Sequence, residues 1–200
     1  AEGDMAIAVR DTSHISYDIV GSHLKNYDFM INLAHFKGHQ MAGMGGVLKN
    51  ASIGVASSAG KAYIHSAGVT DSPVLCWANT GNQDGFVEAM AAAAQAVHDY
   101  FDNGQKILYI CVMYRMSIDC DCNANPQKPL IADYGIIAGF DPVAVDQACL
   151  DKVFSYKGSK GDDNKPLMAR INRQHGTYIT DYAESIGLGS KKYVIINLDE

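Results

Sequence analysis

The sequence predicts an α/β fold, a mixed, mostly parallel sheet layered with helices. Short β-rich runs alternate with helical stretches along the chain, the pattern of strands and helices sharing one core. Apolar residues recur with a 3.6-residue period from Asp84 to Phe101, which reads as an amphipathic helix. Asp141-Pro142 supplies the N-cap and first-turn proline of a second helix reaching about Phe154. With 200 residues, 48% hydrophobic and 19% charged, the chain is long enough for one globular domain with a sizeable core.

In chain order, Met5 to Val9 and Phe29 to Leu33 are the first strands, β-rich runs bounded by charge or glycine. The Asp84–Phe101 helix presents Phe86, Met90, Ala93, Ala94, Val97 and Phe101 on one face and is expected to lie on the sheet, with Gly104 as its stop. Ile107 to Met113 and Ile136 to Ala138 are further strands. Ser155 to Lys165 (SYKGSKGDDNK) is polar enough for an exposed loop. Helices are expected over Pro166 to Arg173 and Thr180 to Ile186, the latter ended by Gly187 and Gly189. Tyr193 to Asn197 closes the series as a strand. No solenoid repeat and no Pro/Ser linker divides the chain.

The net charge of −6 argues against a whole-surface partner such as duplex DNA or an anionic membrane, while leaving room for a local basic site. The longest strongly apolar runs fall far short of the roughly 20 residues a membrane-spanning helix needs. Cys76, Cys111, Cys120, Cys122 and Cys149 are odd in number and irregular in spacing, which favours reduced thiols and a cytoplasmic location over a disulfide scaffold.

The 42 residues between Asp28 and Asp71 contain neither Asp nor Glu, where the chain average would place about five. The same stretch carries His35, Lys37, His39, Lys49, Lys61 and His65, together with glycines that include Gly45 and Gly46. Glycine-rich turns present backbone N–H groups to anions without side-chain obstruction. Lys37, Lys49, Lys61, His65, Gly45 and Gly46 are therefore candidate contacts to a small anionic ligand. The competing reading is a packed segment that excludes acids because it excludes charge, and the lysines count against it. Nucleotide loops do not fit: Gly54 to Gly60-Lys61 misses both the length and the hydroxyl of a P-loop, and Gly43-Met44-Gly45-Gly46 lacks the third glycine of a dinucleotide fingerprint.

His35 and His39 follow the Phe29–Leu33 strand, where an α/β sheet delivers side chains to its ligand-binding edge. They are the candidate acid/base residues. Their spacing would suit a zinc-binding helix, but Gly38 disfavours helix and no glutamate follows His35. Asp119-Cys120-Asp121-Cys122 lies beyond the Ile107–Met113 strand. Cys120 and Cys122 are candidate ligands for a zinc or iron ion; the alternative is an ordinary acidic loop with two thiols. Asp133, Asp141 and Asp146 form a further acidic candidate group, for which helix capping is a sufficient structural explanation at Asp141.

Several long segments together resemble one family. These are NLAHFKGHQMAGMGGVLKNASIG at Asn32 to Gly54, SSAGKAYIHSAG at Ser57 to Gly68, CDC at Cys120 to Cys122, IADYGIIAGFDPVAVDQACLD at Ile131 to Asp151 and IGLGSKKYVIINLD at Ile186 to Asp199. The family is that of the uncharacterised iron-sulfur-centre proteins called domain of unknown function 362. The resemblance implies no settled activity. Many relatives carry an inserted ferredoxin module with two CxxCxxCxxxCP sets after the segment matching Ala62 to Gly68. Here Val69 to Gly85 runs on with Cys76 alone, so two-cluster iron-sulfur binding is not expected. Relatives also have an N-terminal α/β region before the segment matching Glu2, so the chain is expected to be the C-terminal part of a longer family member.

Two functions follow as expectations. One is an enzyme-like pocket in which the His/Lys/Gly-rich segment binds a small anionic ligand. The other is a non-catalytic metal-binding or redox-accessory module, in which the CxC loop works with a redox partner.

Overall fold

The structure, a computed structural model, describes residues 3–158 and 161–199. Ser159 and Lys160, within the expected polar loop, lie outside the described residues. The strands are β1 (Asp4–Ala8), β2 (Tyr17–Gly21), β3 (Met30–His35), β4 (Lys37–His39), β5 (Gly43–Gly45), β6 (Ile107–Met113) and β7 (Gly135–Gly139). The helices are α1 (Val47–Lys49), which continues into π-helical turns at Asn50–Gly54, α2 (Ser58–His65), α3 (Gln83–Tyr100), α4 (Pro142–Phe154), α5 (Lys165–Arg173) and α6 (Tyr178–Ser185).

The α/β class holds, but the expected mostly parallel sheet is corrected. The three-stranded sheet has the order β3-β6-β7. β3 runs parallel to β6, in the register Met30 opposite Ile107, whereas β7 runs antiparallel to β6. The remaining pairs, β1-β2 and β4-β5, are antiparallel ribbons. The cause lies in the connections. Between β3 and β6 the chain passes through α2 and α3, which allow a parallel return, while Tyr114 to Tyr134 contains no helix and brings β7 back antiparallel.

The helix laid on β6 and β7 is α4. The expected helix on the sheet, α3, instead runs through the middle of the molecule. It is buried on every side from Ala89 to Val97, packs against α6, α2, the π-helical turns and the β1-β2 ribbon, and reaches β6 through a 2.9 Å hydrogen bond between His98 Nδ1 and the Tyr109 hydroxyl. Its run of alanines permits such close approach from all directions. Asn82 caps its start, accepting from the Gly85 N–H.

The inner face of the three-stranded sheet buries Ala34, Ile107, Tyr109, Cys111 and Met113 in the core. The outer face does not close in the same way: Ile31, Leu33 and Ile136 are each more than 60% exposed. The expected strand at Tyr193 to Asn197 is also corrected. That segment is extended and pairs with no strand among the described residues. Its start is tied down through Lys191 N–H on Glu184 and Tyr193 Oη on Asp151, and Val194, Ile196 and Leu198 stand in solvent. No helix among the described residues is long and apolar enough to cross a membrane.

Candidate metal centre

The carboxyl ends of the parallel strands β3 and β6 lie side by side, so the chain leaving each enters the same region. This is where open α/β sheets place their ligands. Beyond β3, the β4-β5 ribbon carries Lys37 and His39. Beyond β6, the loop from Tyr114 carries Asp119 to Cys122. Backbone pairing joins them: the Gly38 N–H donates to Ser117 O at 2.8 Å. A side chain at Gly38 would collide with the Ile118 carbonyl, so glycine is what lets the two segments touch.

This contact brings His39 to Cys120 and Cys122, with one donor atom from each lying within 4.8 Å of the others. His39 and Cys120 are buried, and Cys122 is exposed. All five cysteines are free thiols. The Cys122 N–H points at Cys120 Sγ at 3.3 Å, an arrangement that supports a thiolate. His39 Nδ1 accepts from the Met41 and Ala42 N–H groups at 3.1 and 3.0 Å. Nε2 is then the ring nitrogen left for the thiols.

Two of the cations around this trio are paired with carboxylates. Lys37 is salt-bridged to Asp121, and Arg170 on α5 stands 3.6 Å from Asp119 while donating to Ile118 O at 3.1 Å. The two aspartates that alternate with the cysteines thus clamp the loop from two sides. Asp119 Oδ2 also accepts the Gln127 N–H. Lys49, on the α1 turn, is half-buried and has no carboxylate partner among the described residues. Burial, together with the charges of Lys37 and Lys61, pushes its pKa down, while Cys120 and Cys122 pull it up. Lys49 therefore stands close enough to both thiols to feel their charge. His39 shows the same crowding of cations: burial, then Lys49, His65, Lys37 and Arg170, lower its pKa to about 3.

The other residues singled out in the sequence fall at varying distances from the trio. His35 Nδ1 lies 3.1 Å from both Asp121 oxygens and Nε2 lies 2.7 Å from Tyr114 O. Both ring nitrogens face acceptors, so His35 acts on Asp121 and not on the thiols. His65 Nδ1 bonds Lys61 O at 2.6 Å, and its ring stacks on Phe86. Burial is the main cause lowering its pKa. Lys61 is exposed on α2. The Lys37 stem crosses Gly45, where a side chain would stand in its way. Beside Gly46 the anion is the chain's own: Asp146, fully buried, accepts from Val47 N and Leu48 N at 2.8 and 2.9 Å and so caps α1. Asp133 and Asp141 are likewise spent on backbone N–H groups.

Four-thiolate clusters do not fit this arrangement. Cys76, Cys111 and Cys149 are buried in the core, and the one metal-competent His/Cys/Asp/Glu group among the described residues is His39 with Cys120 and Cys122. Arg170 was not legible in the sequence. Nothing in α5's helical pattern marks one arginine as facing a loop more than forty residues earlier.

Fold and site together define an α/β protein with a His/Cys/Cys group and a neighbouring unpaired lysine at the carboxyl ends of two parallel strands. The chain belongs to the family described as domain of unknown function (DUF362), which matches residues 1–151. No curated protein and no solved structure matches it.

Proposed function

We propose that the chain is a metal-binding domain in which His39, Cys120 and Cys122 hold one zinc or ferrous ion and Lys49 receives a small anionic ligand beside it. The approach of the three donor atoms to within 4.8 Å of one another carries this reading. Three protein ligands leave a tetrahedral ion one open position, as in catalytic zinc sites. A bound ion would supply Lewis acidity at that position. Two thiolates balance a divalent charge, and Lys37 and Arg170 already face carboxylates. Of the two lysines in this basic segment without a carboxylate partner among the described residues, Lys61 is exposed and Lys49 is half-buried and feels both thiols, so Lys49 is the cation that would receive the anion.

Metal analysis of protein purified without oxygen tests the centre: about one equivalent of zinc or iron is expected, lost in Cys120→Ser and in His39→Ala. Lys49→Met separates the two halves of the reading. It should keep the metal and lose the thermal stabilisation that small carboxylates or phosphate give the parent protein. Metal-free parent protein would sink the reading, and equal anion response in Lys49→Met would sink the role of Lys49.

The exposure of Cys122 favours a second reading, in which the ion is shared with a redox partner and no substrate binds. Metal retention in Lys49→Met without anion binding by the parent would select it.

A further inference from the structure

Cys120 and Cys122 also have the arrangement of a thiol–disulfide couple. Cys120 opens a turn in which its carbonyl accepts from the Asn123 N–H at 2.9 Å, so Cys122 stands at the third position of the turn and the chain folds back toward Cys120. The same turn puts the Cys122 N–H 3.3 Å from Cys120 Sγ, and the two sulfurs lie within 4.8 Å of each other. A disulfide needs sulfurs about 2.05 Å apart and Cα atoms no more than about 7 Å apart. The turn meets the second condition, and rotation of one side chain supplies the first.

The two thiols differ in access. Cys122 is exposed, whereas Cys120 is only 9% exposed. A disulfide arriving from solution therefore meets Cys122, and the side chain with room to rotate is the same one. Cys120 is held from both sides: Asp119 before it faces Arg170 and accepts the Gln127 N–H, and Asp121 after it is paired with Lys37 and His35. Cys76, Cys111 and Cys149 are buried and do not compete for a reagent in solution.

We infer that Cys122 is the attacking thiol and Cys120 the resolving thiol of a reversible couple that reduces disulfides of low molecular weight and opens the metal centre as it does so. The Cys122 thiolate attacks one sulfur of a disulfide RS–SR, forming Cys122–S–SR and releasing one RS⁻. The Cys120 thiolate then attacks the Cys122 sulfur, forming the Cys120–Cys122 disulfide and releasing the second RS⁻. The cysteine pair loses two electrons and RS–SR gains them, and the protons given up by the two cysteines pass to the leaving thiolates. The disulfide itself does not depend on a metal. Release of an ion does rest on the ligand reading above, since oxidation removes two of the three ligands and leaves His39 alone.

Oxidised glutathione is the probe, added to protein stripped of metal by a chelator. The reaction is run at mildly alkaline pH, because hydrogen bonding to Cys120 and burial hold the Cys122 pKa up and the exchange rate follows the thiolate fraction. Mass spectrometry of the intact parent should show the loss of two hydrogens and no lasting adduct. Cys120→Ser should stop at the mixed disulfide, with one glutathione on Cys122 that dithiothreitol removes, and Cys122→Ser should carry none. Circular dichroism melts report whether each variant folds. Peptide mapping of the oxidised parent needs no variant and should place the new bond between Cys120 and Cys122. A lasting glutathione adduct on the parent, an adduct on Cys120 in Cys122→Ser, or a bond mapped to Cys111 and Cys149 overturns the inference. With zinc-loaded parent, oxidised glutathione should transfer the zinc to a chromophoric chelator as the disulfide forms, and dithiothreitol should restore binding. Disulfide formation in a parent that takes up no zinc would support the couple and sink the ligand reading.

Discussion

Asp18 sits inside β2, 1% exposed, and neither carboxylate oxygen has a hydrogen-bond partner. Burial pushes its pKa up to about 7. In the unfolded chain the group would titrate near the ordinary value of 3.8. The folded state therefore binds the extra proton, and stability is full at low pH and falls as pH rises from about 4 through 7. The loss is on the order of 2 to 4 kcal/mol. Asp18→Asn should remove this slope and be more stable than the parent at pH 8, as urea unfolding at pH 5 and pH 8 would show; an unchanged slope would refute the assignment. His39 makes a second prediction at this scale. Because Nδ1 is occupied by two backbone N–H groups, neutral His39 carries its proton on Nε2. For zinc to bind at Nε2 that proton must move to Nδ1, so the ring stays neutral and zinc binding should release protons from the two thiols alone, measurable by calorimetry in buffers of different ionisation enthalpy. The chemistry of single residues was legible in the sequence, since thiols, lysines and histidines announce what they can do. Which of them meet was not legible. The spacing grouped His39 with His35, whereas the fold gives His35 to Asp121 and brings His39 to the cysteines.

At the scale of elements, the site depends on β4 lying against the Ser117–Asp119 backbone. Gly38→Ala would place a methyl group against the Ile118 carbonyl, and a backbone obstacle cannot rotate away. It should cost about 2 kcal/mol or more and weaken zinc binding by moving the CxC loop from His39. Chemical denaturation and zinc competition assays on the same variant would check both effects, and a variant that binds zinc like the parent would show that the loop does not need this contact. Long elements were readable from sequence because their signals are periodic or capped: α3, α4 and β6 fall within a residue or two of expectation. The three-residue strands β4 and β5 carry no such signal, and their pairing is set by glycines and the neighbouring loop. Tyr193 to Asn197 shows the opposite failure. Its β-rich composition is real, but a strand needs a hydrogen-bonding neighbour, and local propensity does not supply one.

For the whole molecule, the thiol centre is a clasp between the segments leaving β3 and β6. Zinc at a hundredfold excess over its dissociation constant should stabilise the fold by about 2.7 kcal/mol. Differential scanning calorimetry should show the rise in melting temperature for the parent and not for Cys120→Ser. The family membership was legible from several long segments in order, because such runs preserve a packing pattern and not one reactive group.

The parallel pairing of Met30 with Ile107 also bears on the order of folding. Those two residues meet only after α2 and α3, between them in the chain, have been positioned, and closing so long a loop is slow. The clasp beyond the two strands can form only when they are side by side, which places it after the rate-limiting step. A metal bound there belongs to the native state and not to the transition state, so zinc should slow unfolding and leave the refolding rate unchanged. Stopped-flow chevrons with and without zinc would read this directly: displacement of the unfolding arm alone is expected, and a faster folding arm would mean that His39 and the CxC loop meet early.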